Sequence, residues 1–308
     1  MDLSIMVEGQ RGLTWEKWMR FSTAVEELGF LGLFRSDHFV DAEPPDQASL
    51  ELWVSLTWLA DNTRRIKFGP LVTPFSFRHP VHTARMAKDL NVLSGGRIVL
   101  GLGAGWGGAV REHEMFGFDL LSVTERFQRF EEGLQVIHLL LRGRQPQSFE
   151  GKYFTLKDAS FQPFDDITTR IPILIGGNGP KRVLPLAARY ADEWNSIYRT
   201  PKQFEELNRK LDNLLDEIGR DQCSLRRSQM MGIKFGVDQK DLLSVLAGKT
   251  IDAERERGLL AGCASEIKDQ ITLLEEAGVE HIIIQWPDVT DIGRLETFAD
   301  NLLRQRIL

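Results

Sequence analysis

Two neighbouring side chains, Asp37 and His38, carry the clearest chemistry in this 308-residue sequence. They sit in Arg35-Ser-Asp-His-Phe39, directly after Phe30 to Phe34, a short apolar run that reads as a strand. Histidine changes charge near neutral pH, and a carboxylate beside it biases or orients the ring, so the pair suits proton transfer. Adjacent residues need not touch, and a loop histidine satisfied by a carbonyl is the alternative. A second candidate is Leu93 to Trp106, LSGGRIVLGLGAGW. Ile98, Val99 and Leu100 form a continuous apolar run, as in a strand covered on both faces. Gly101, Gly103 and Gly105 leave the following backbone almost bare, which permits positive φ and lets a flat ligand approach. Trp106 places an aromatic at the exit. A third candidate is Gly176-Gly177-Asn178-Gly179, between an apolar run and a helix expected from Pro180 to Tyr190. Bare amides at a helix start attract anions, and Lys181 and Arg182 add positive charge, so the stretch reads as a phosphate seat; a plain strand-to-helix turn is the alternative.

Other constellations are weaker. Gly103 to Gly108 satisfies G-x-G-x-x-G after a strand, but a dinucleotide fold then needs a second strand with an acidic residue roughly 20 residues on. Here a polar, irregular stretch, Glu112 to Phe118, leads instead into a long amphipathic helix from about Val123 to Leu141. His113 lies between Glu112 and Glu114, a spacing that does not put two of these groups on one helix face. The stretch reads as a solvated loop edging a pocket, with no metal. His79 and His82 read as capping or surface groups, His138 and His281 as packed ones. No G-x-S-x-G nucleophile elbow is present.

A frame for these residues follows from the alternation of short apolar runs with amphipathic segments. Strands are expected at Leu3 to Val7, Phe30 to Phe34, Arg65 to Thr73, Arg97 to Leu102, Pro172 to Ile175, Asp192 to Ile197, Ser228 to Val237 and His281 to Gln285. Helices are expected between them, the first from Trp15 to Leu28 with Thr14 as cap and Gly29 as stop. A small hairpin is expected over Gln147 to Leu156, and Asp238 to Leu260 reads as helical and charged, a place for an insertion. Alternation of this kind means a parallel sheet. Eight units in residues 1–308 most simply close as one (β/α)8 TIM barrel domain, with an open doubly wound sheet as runner-up. In a barrel, chemistry sits at the C-terminal strand ends. That rule selects Glu8, Asp37, His38, Thr73, Trp106, Gly176 to Gly179, Ser196, Gln285 and Trp286.

Composition sets the remaining bounds. The chain is 42% hydrophobic and 27% charged, with net charge −6, which argues against disorder and against a nucleic-acid partner. Cys223 and Cys263 have no metal or disulfide spacing, so a reducing cytoplasm is expected. No apolar run reaches the roughly 18 residues of a membrane span, and no signal peptide is evident.

Six segments, in order along nearly the whole chain, carry a family resemblance. They are SDHF at Ser36 to Phe39, LVTPFSFRHP at Leu71 to Pro80, LSGGRIVLGLGAGW, ILIGGNGPKR at Ile173 to Arg182, AARYADEWN at Ala187 to Asn195, and AGVEHIIIQWPD at Ala277 to Asp288. The sequence resembles the luciferase-like monooxygenase superfamily, and more narrowly its branch of coenzyme F420-dependent oxidoreductases. The resemblance implies a (β/α)8 barrel with insertion regions, usually a homodimer, and a deazaflavin across the barrel mouth. It implies that Asp37 contacts the cofactor, that His38 transfers a proton, that Thr73 meets the ring and that Gly176 and Gly177 meet the phosphate. It also implies a non-proline cis peptide in strand three, matched here to Pro70–Leu71. Sugar-phosphate dehydrogenases of the branch carry a glutamate where Trp106 stands, and tryptophan cannot act as their acid. It would instead stack or wall a pocket for an apolar substrate. Three functions are therefore expected in order: hydride transfer between F420 and a small organic substrate; an FMN-dependent monooxygenase served by a partner flavin reductase; and a flavin-binding barrel without turnover.

Overall fold

A computed structural model describes residues 1–161 and 170–303. Among these, eight parallel strands form a ring: β1 (Asp2–Val7), β2 (Gly32–Arg35), β3 (Lys67–Pro70), β4 (Leu100–Gly103), β5 (Ile173–Gly176), β6 (Glu193–Ile197), β7 (Arg226–Phe235) and β8 (His281–Gln285). They pair in the order β3-β2-β1-β8-β7-β6-β5-β4. The ring closes where the Phe68 amide donates to Arg97 O at 3.1 Å and the Val99 amide to Phe68 O at 2.8 Å. Beyond an irregularity in the third strand, Thr73 and Pro74 pair with Leu102 and Gly103. The expected barrel is thus the observed architecture.

Side-chain alternation sorts each strand between two cores. In β8, Ile282 and Ile284 face the helices, in one shell with Trp18, Phe21 and Phe298. Ile283 faces the barrel axis with Met6, Phe34, Leu71, Val99, Leu174 and Met230. Below that apolar layer the interior is polar. His281 Nδ1 lies 3.0 Å from Glu193 Oε1, and its Nε2 lies 2.8 Å from Ser4 Oγ, all three residues being buried. Burial would raise the Glu193 pKa, but His281 and Arg226 hold it below the ordinary carboxylate value. His281 is therefore a packed residue, as expected.

The helices begin and end where local chemistry dictates. Thr14 caps Trp15–Leu28 by accepting from the Lys17 amide, and Gly29 stops it at φ 93°. Ser122 and Glu125 form a capping box at the start of Val123–Arg142. His79 caps Pro80–Ser94. The hairpin pairs Gln147–Glu150 with Thr155–Ala159. No helix among the described residues is long and apolar enough to cross a membrane.

Four local expectations need correction. Glu112 to Phe118 is not a solvated loop: Val110–Phe116 is a helix, stopped by Gly117, with Glu112 and His113 both buried. Phe39 and Phe77 pack with Phe116 and Phe118 beside it, and Glu112 and His113 point inward while Glu114 stays exposed. The helix after β5 starts at Val183, not Pro180, because the amides of Arg182, Val183 and Leu184 all converge on Gly179 O in a turn. Asp238 to Leu260 divides into helices Gln239–Leu246 and Ile251–Glu256, and a short strand, Leu260–Gly262, pairs with the end of β7. The non-proline cis peptide is Leu71–Val72, one bond later than Pro70–Leu71.

Candidate active site at the barrel mouth

The exit of β2 builds the first wall. Arg35, fully buried, donates to Leu50 O at 2.9 Å and to the Ser55 hydroxyl, which ties the strand to the start of helix Leu52–Asn62. Burial lowers its pKa to about 10. Asp37 is buried too, and its carboxylate accepts from the Thr73 hydroxyl and from both terminal nitrogens of Arg78, one at 3.2 Å. Burial pushes the Asp37 pKa up even against the pull of Arg78 and Thr73. Arg78 reaches on to Glu51 at 2.8 Å. Asp37 therefore ties β2 to the third strand, and Thr73 is fixed by that tie.

His38 turns the other way, to the exit of β4. Its Nδ1 lies 2.7 Å from Glu112 Oε1, while Glu112 Oε2 accepts the Phe39 amide at 3.1 Å. Burial alone would lower the His38 pKa, but the hydrogen bond and charge of Glu112, with Glu8 and Asp37 behind, raise it. The His38 ring keeps 27% of its surface, enough to present its second nitrogen to a ligand. Trp106, more than half exposed, meets it edge-on at 6.5 Å. Trp106 also folds back over Gly108, where a Cβ would sit 2.3 Å from the indole. His113 is not part of this set: its Nδ1 is 2.7 Å from Ala109 O and its ring packs on Phe77.

The glycines of β4 serve a neighbour in the chain. Val99 points into the barrel, so Gly101 and Gly103 face inward as well. A Cβ on Gly101 would lie 2.1 Å from Pro70 O, and one on Gly103 would lie 2.7 Å from Val72 Cγ2. Gly176 of β5 meets Val72 Cγ1 at 3.0 Å on the same test. Pro70 and Leu71 are thus packed against β4 and the barrel axis, and Val72 rests in a cradle of bare backbone. Only Gly105, at φ 89°, lies beyond it and opens to Ser76 and Arg126.

The Gly176–Gly179 turn lies at the far side. Gly177 takes φ 129° and donates its amide to Asn195 O at 2.8 Å. Asn178 hydrogen-bonds both ways with the Ile197 backbone, at 2.8 and 2.9 Å, as a substitute strand partner for β6. Gly176 to Gly179 stay half-buried, with Gly177 and Gly179 packed on Val183. Beside Gly105, the Ser76 hydroxyl and Arg126 Nε are buried without a hydrogen-bond partner, and Arg126 Nη1 donates to Gly105 O at 3.1 Å. Arg182 leans on Phe127 one residue along the same helix. Orphaned donors beside a glycine edge match what a phosphate would satisfy, so the residues present fit a phosphorylated cofactor.

On the opposite rim a hydrogen-bond chain joins four strand ends. Glu8 of the β1 exit accepts from Gln10 Nε2 at 2.8 Å and from Gln285, which in turn accepts from the Tyr198 hydroxyl. Gln10 accepts from Ser36 Oγ at 2.8 Å. Tyr198 has φ 50°, a left-handed conformation costing a bulky residue roughly 1–2 kcal/mol. Burial, then the charge of Glu8, pushes its pKa to about 12. Glu8, Tyr198 and Gln285 line a cleft of about 680 Å³. Glu112, Arg78, Arg126 and Tyr198 escaped the sequence reading. The strand-end rule points to Tyr198, one residue beyond β6, but no local signal marks Glu112 as inward.

Comparison with known proteins places this geometry. The chain is 32% identical over 214 residues to an F420-dependent glucose-6-phosphate dehydrogenase of Microbacterium testaceum, covering 65% of this chain and 58% of that protein. It is 32% identical over 199 residues to a 5,10-methylenetetrahydromethanopterin reductase of Archaeoglobus fulgidus, covering 63% and 53%. The chain thus spans about half the length of the curated relatives it matches. The fold superposes on an F420-dependent secondary alcohol dehydrogenase in complex with an F420–acetone adduct, with TM-score 0.83 and 20% identity over 98% of both chains. A family model described as luciferase-like monooxygenase matches residues 4–247. The chain belongs to the luciferase-like monooxygenase family.

Proposed function

We propose that this chain is an F420-dependent oxidoreductase that moves a hydride between the deazaflavin and a small organic substrate. The observation that carries the reading is the His38–Glu112 pair at the barrel mouth, a proton donor and acceptor with its partner already in place. The deazaflavin would supply the hydride chemistry. Gly176, Gly177 and Gly179, with Ser76 and Arg126, would hold its phosphate. Leu71, Thr73 and Trp106 would border the ring, while Asp37, Pro70 and Asn178 would set the backbone beneath these contacts.

The chain's own part is proton handling and exclusion of water. Glu112 fixes the His38 ring and keeps it protonated to higher pH than an ordinary histidine. Protonated His38 serves as the acid when a carbonyl is reduced; its conjugate base serves when an alcohol is oxidised. Trp106 screens the edge of the imidazole from solvent.

Fluorescence titration of the purified protein with F420 and with FMN tests the reading. Selective F420 binding is expected, and His38→Ala should keep that binding while losing about 100-fold or more in kcat. Preference for FMN would transfer the site to oxygen-dependent chemistry with a partner reductase. An active His38→Ala variant would remove the role given to His38.

A further inference from the structure

The cleft beside the β1, β7 and β8 exits has a charge opposite to that of the chain. The whole sequence carries 38 basic and 44 acidic residues. The cleft is lined by five cations, Arg11, Lys17, Lys234, Lys249 and Arg257, against two acids, Glu8 and Asp288. The cations come from three separate segments: the β1 exit and its helix, strand β7, and the turns around Ile251–Glu256.

Lys234 decides the meaning of this lining. Met230 faces the barrel axis, so Gly232 and Lys234, two and four residues on, point the same way at the top of β7. Below the lysine, Gly232 packs closely on Leu259 and Tyr198, where a Cβ would sit 3.2 and 3.4 Å from them. Lys234 is half-buried there and lines the cleft, so it stands at the barrel mouth where a ligand can reach it and not among the apolar side chains under the helices. Among the described residues no carboxylate is recorded within 4.0 Å of Lys234 or Lys17; the Lys17 ammonium donates to Gly12 O at 2.8 Å. The other cations are neutralised from outside the cleft, Arg11 by Asp41 at 2.9 Å, and Lys249 and Arg257 by one Glu254 at 3.1 and 2.7 Å. A concave site with surplus positive charge concentrates anions.

A hydrogen bond links this cleft to the reacting end of the site. Glu8 and Gln285 belong to its floor, and Gln10, bonded to Glu8, also lines a smaller cleft with His38, Trp106 and Glu112. We infer that the cleft is the substrate side of the site and selects a small organic anion, a carboxylate or phosphate ester, whose charged group is held by Lys234 and Lys17. This rests on the oxidoreductase reading for the word substrate; the anion site itself does not.

Calorimetric titration of the intact protein with inorganic phosphate, at low salt and with F420 titrated separately, tests it. Saturable phosphate binding is expected, weakened about tenfold in Lys234→Gln and unchanged in the control Lys202→Gln, on an exposed helix turn. The F420 affinity of Lys234→Gln should stay within about twofold of the wild type, and raising the ionic strength should weaken phosphate binding. No saturable phosphate binding, or binding indifferent to Lys234→Gln, overturns the inference. Equal loss of F420 and phosphate affinity in Lys234→Gln also overturns it, since the cleft would then hold the cofactor's own anionic portion. Phosphate binding that depends on Lys234 in a protein that binds no F420 would leave the anion site standing and sink the proposed function.

Discussion

The two oxygens of Glu112 are divided between the ring and the backbone of one exit: Oε1 lies 2.7 Å from His38 Nδ1, and Oε2 accepts the Phe39 amide at 3.1 Å. The carboxylate reaches across 74 residues of sequence to do so. Glu112→Gln keeps the shape and removes the charge. The His38 pKa should fall, because Glu112 is what lifts it against burial. In a pH profile of kcat/KM the limb assigned to His38 should move to lower pH, and an unmoved limb would dissociate the pair from the chemistry. Stability follows the same sign. A raised histidine pKa contributes stability fully below the unfolded value of about 6.5, and loses it as pH rises through the folded value. The denaturation midpoints of wild type and Glu112→Gln should therefore differ more near about pH 6 than near about pH 9.

The Val72 cradle separates two kinds of crowding. Gly103→Ala would press on a side chain, Val72 Cγ2, whereas Gly101→Ala would press on the Pro70 carbonyl. Each should cost about 1–3 kcal/mol or more in urea unfolding. Adding Val72→Ala should recover stability in the Gly103→Ala background and not in the Gly101→Ala one. Equal rescue of both would contradict the packing described.

Glu193 lies beneath the apolar layer with His281 at 3.0 Å and Arg226 at 3.8 Å. Its pKa is lowered in the fold despite burial. The stability it contributes is present above the unfolded glutamate value and is lost as pH falls through the folded one. Glu193→Gln should destabilise by about 3–5 kcal/mol near neutrality, with the gap to wild type closing in acid. Thermal unfolding across a pH series reads both.

Arg78 supplies the charge that answers buried Asp37. Arg78→Gln should lose about 3–5 kcal/mol at neutral pH. Since burial already raises the Asp37 pKa, part of that loss should return as pH is lowered and the carboxyl takes a proton. Arg78→Gln combined with Asp37→Asn should unfold later than Arg78→Gln alone. A double variant weaker than the single one would show that Asp37 does not need its counter-charge.

Much of the frame is written in the local sequence. Thr14 and Gly29 delimit a helix because a hydroxyl and a left-handed residue act within one turn of where they stand. The eight apolar runs announce a parallel ring because buried strands have no solvent face to alternate with. The strand-end rule then placed Asp37, His38, Thr73, Trp106 and Gly176 at one mouth.

Tertiary structure decided what those residues meet. Glu112 reads as solvated because its neighbours in sequence are charged, yet aromatic rings from two other exits pack beside its helix and its carboxylate meets His38. The glycines of β4 read as room for a flat ligand, and ring closure against the third strand fills that room with Val72. Lys234 reads as one more lysine until the register of β7 sets it on the inward face, where a one-residue slip would have sent it to the helices. Periodicity and caps act over a few residues and are legible from the chain alone; side-chain partners depend on register summed around a closed ring, which only the folded barrel determines.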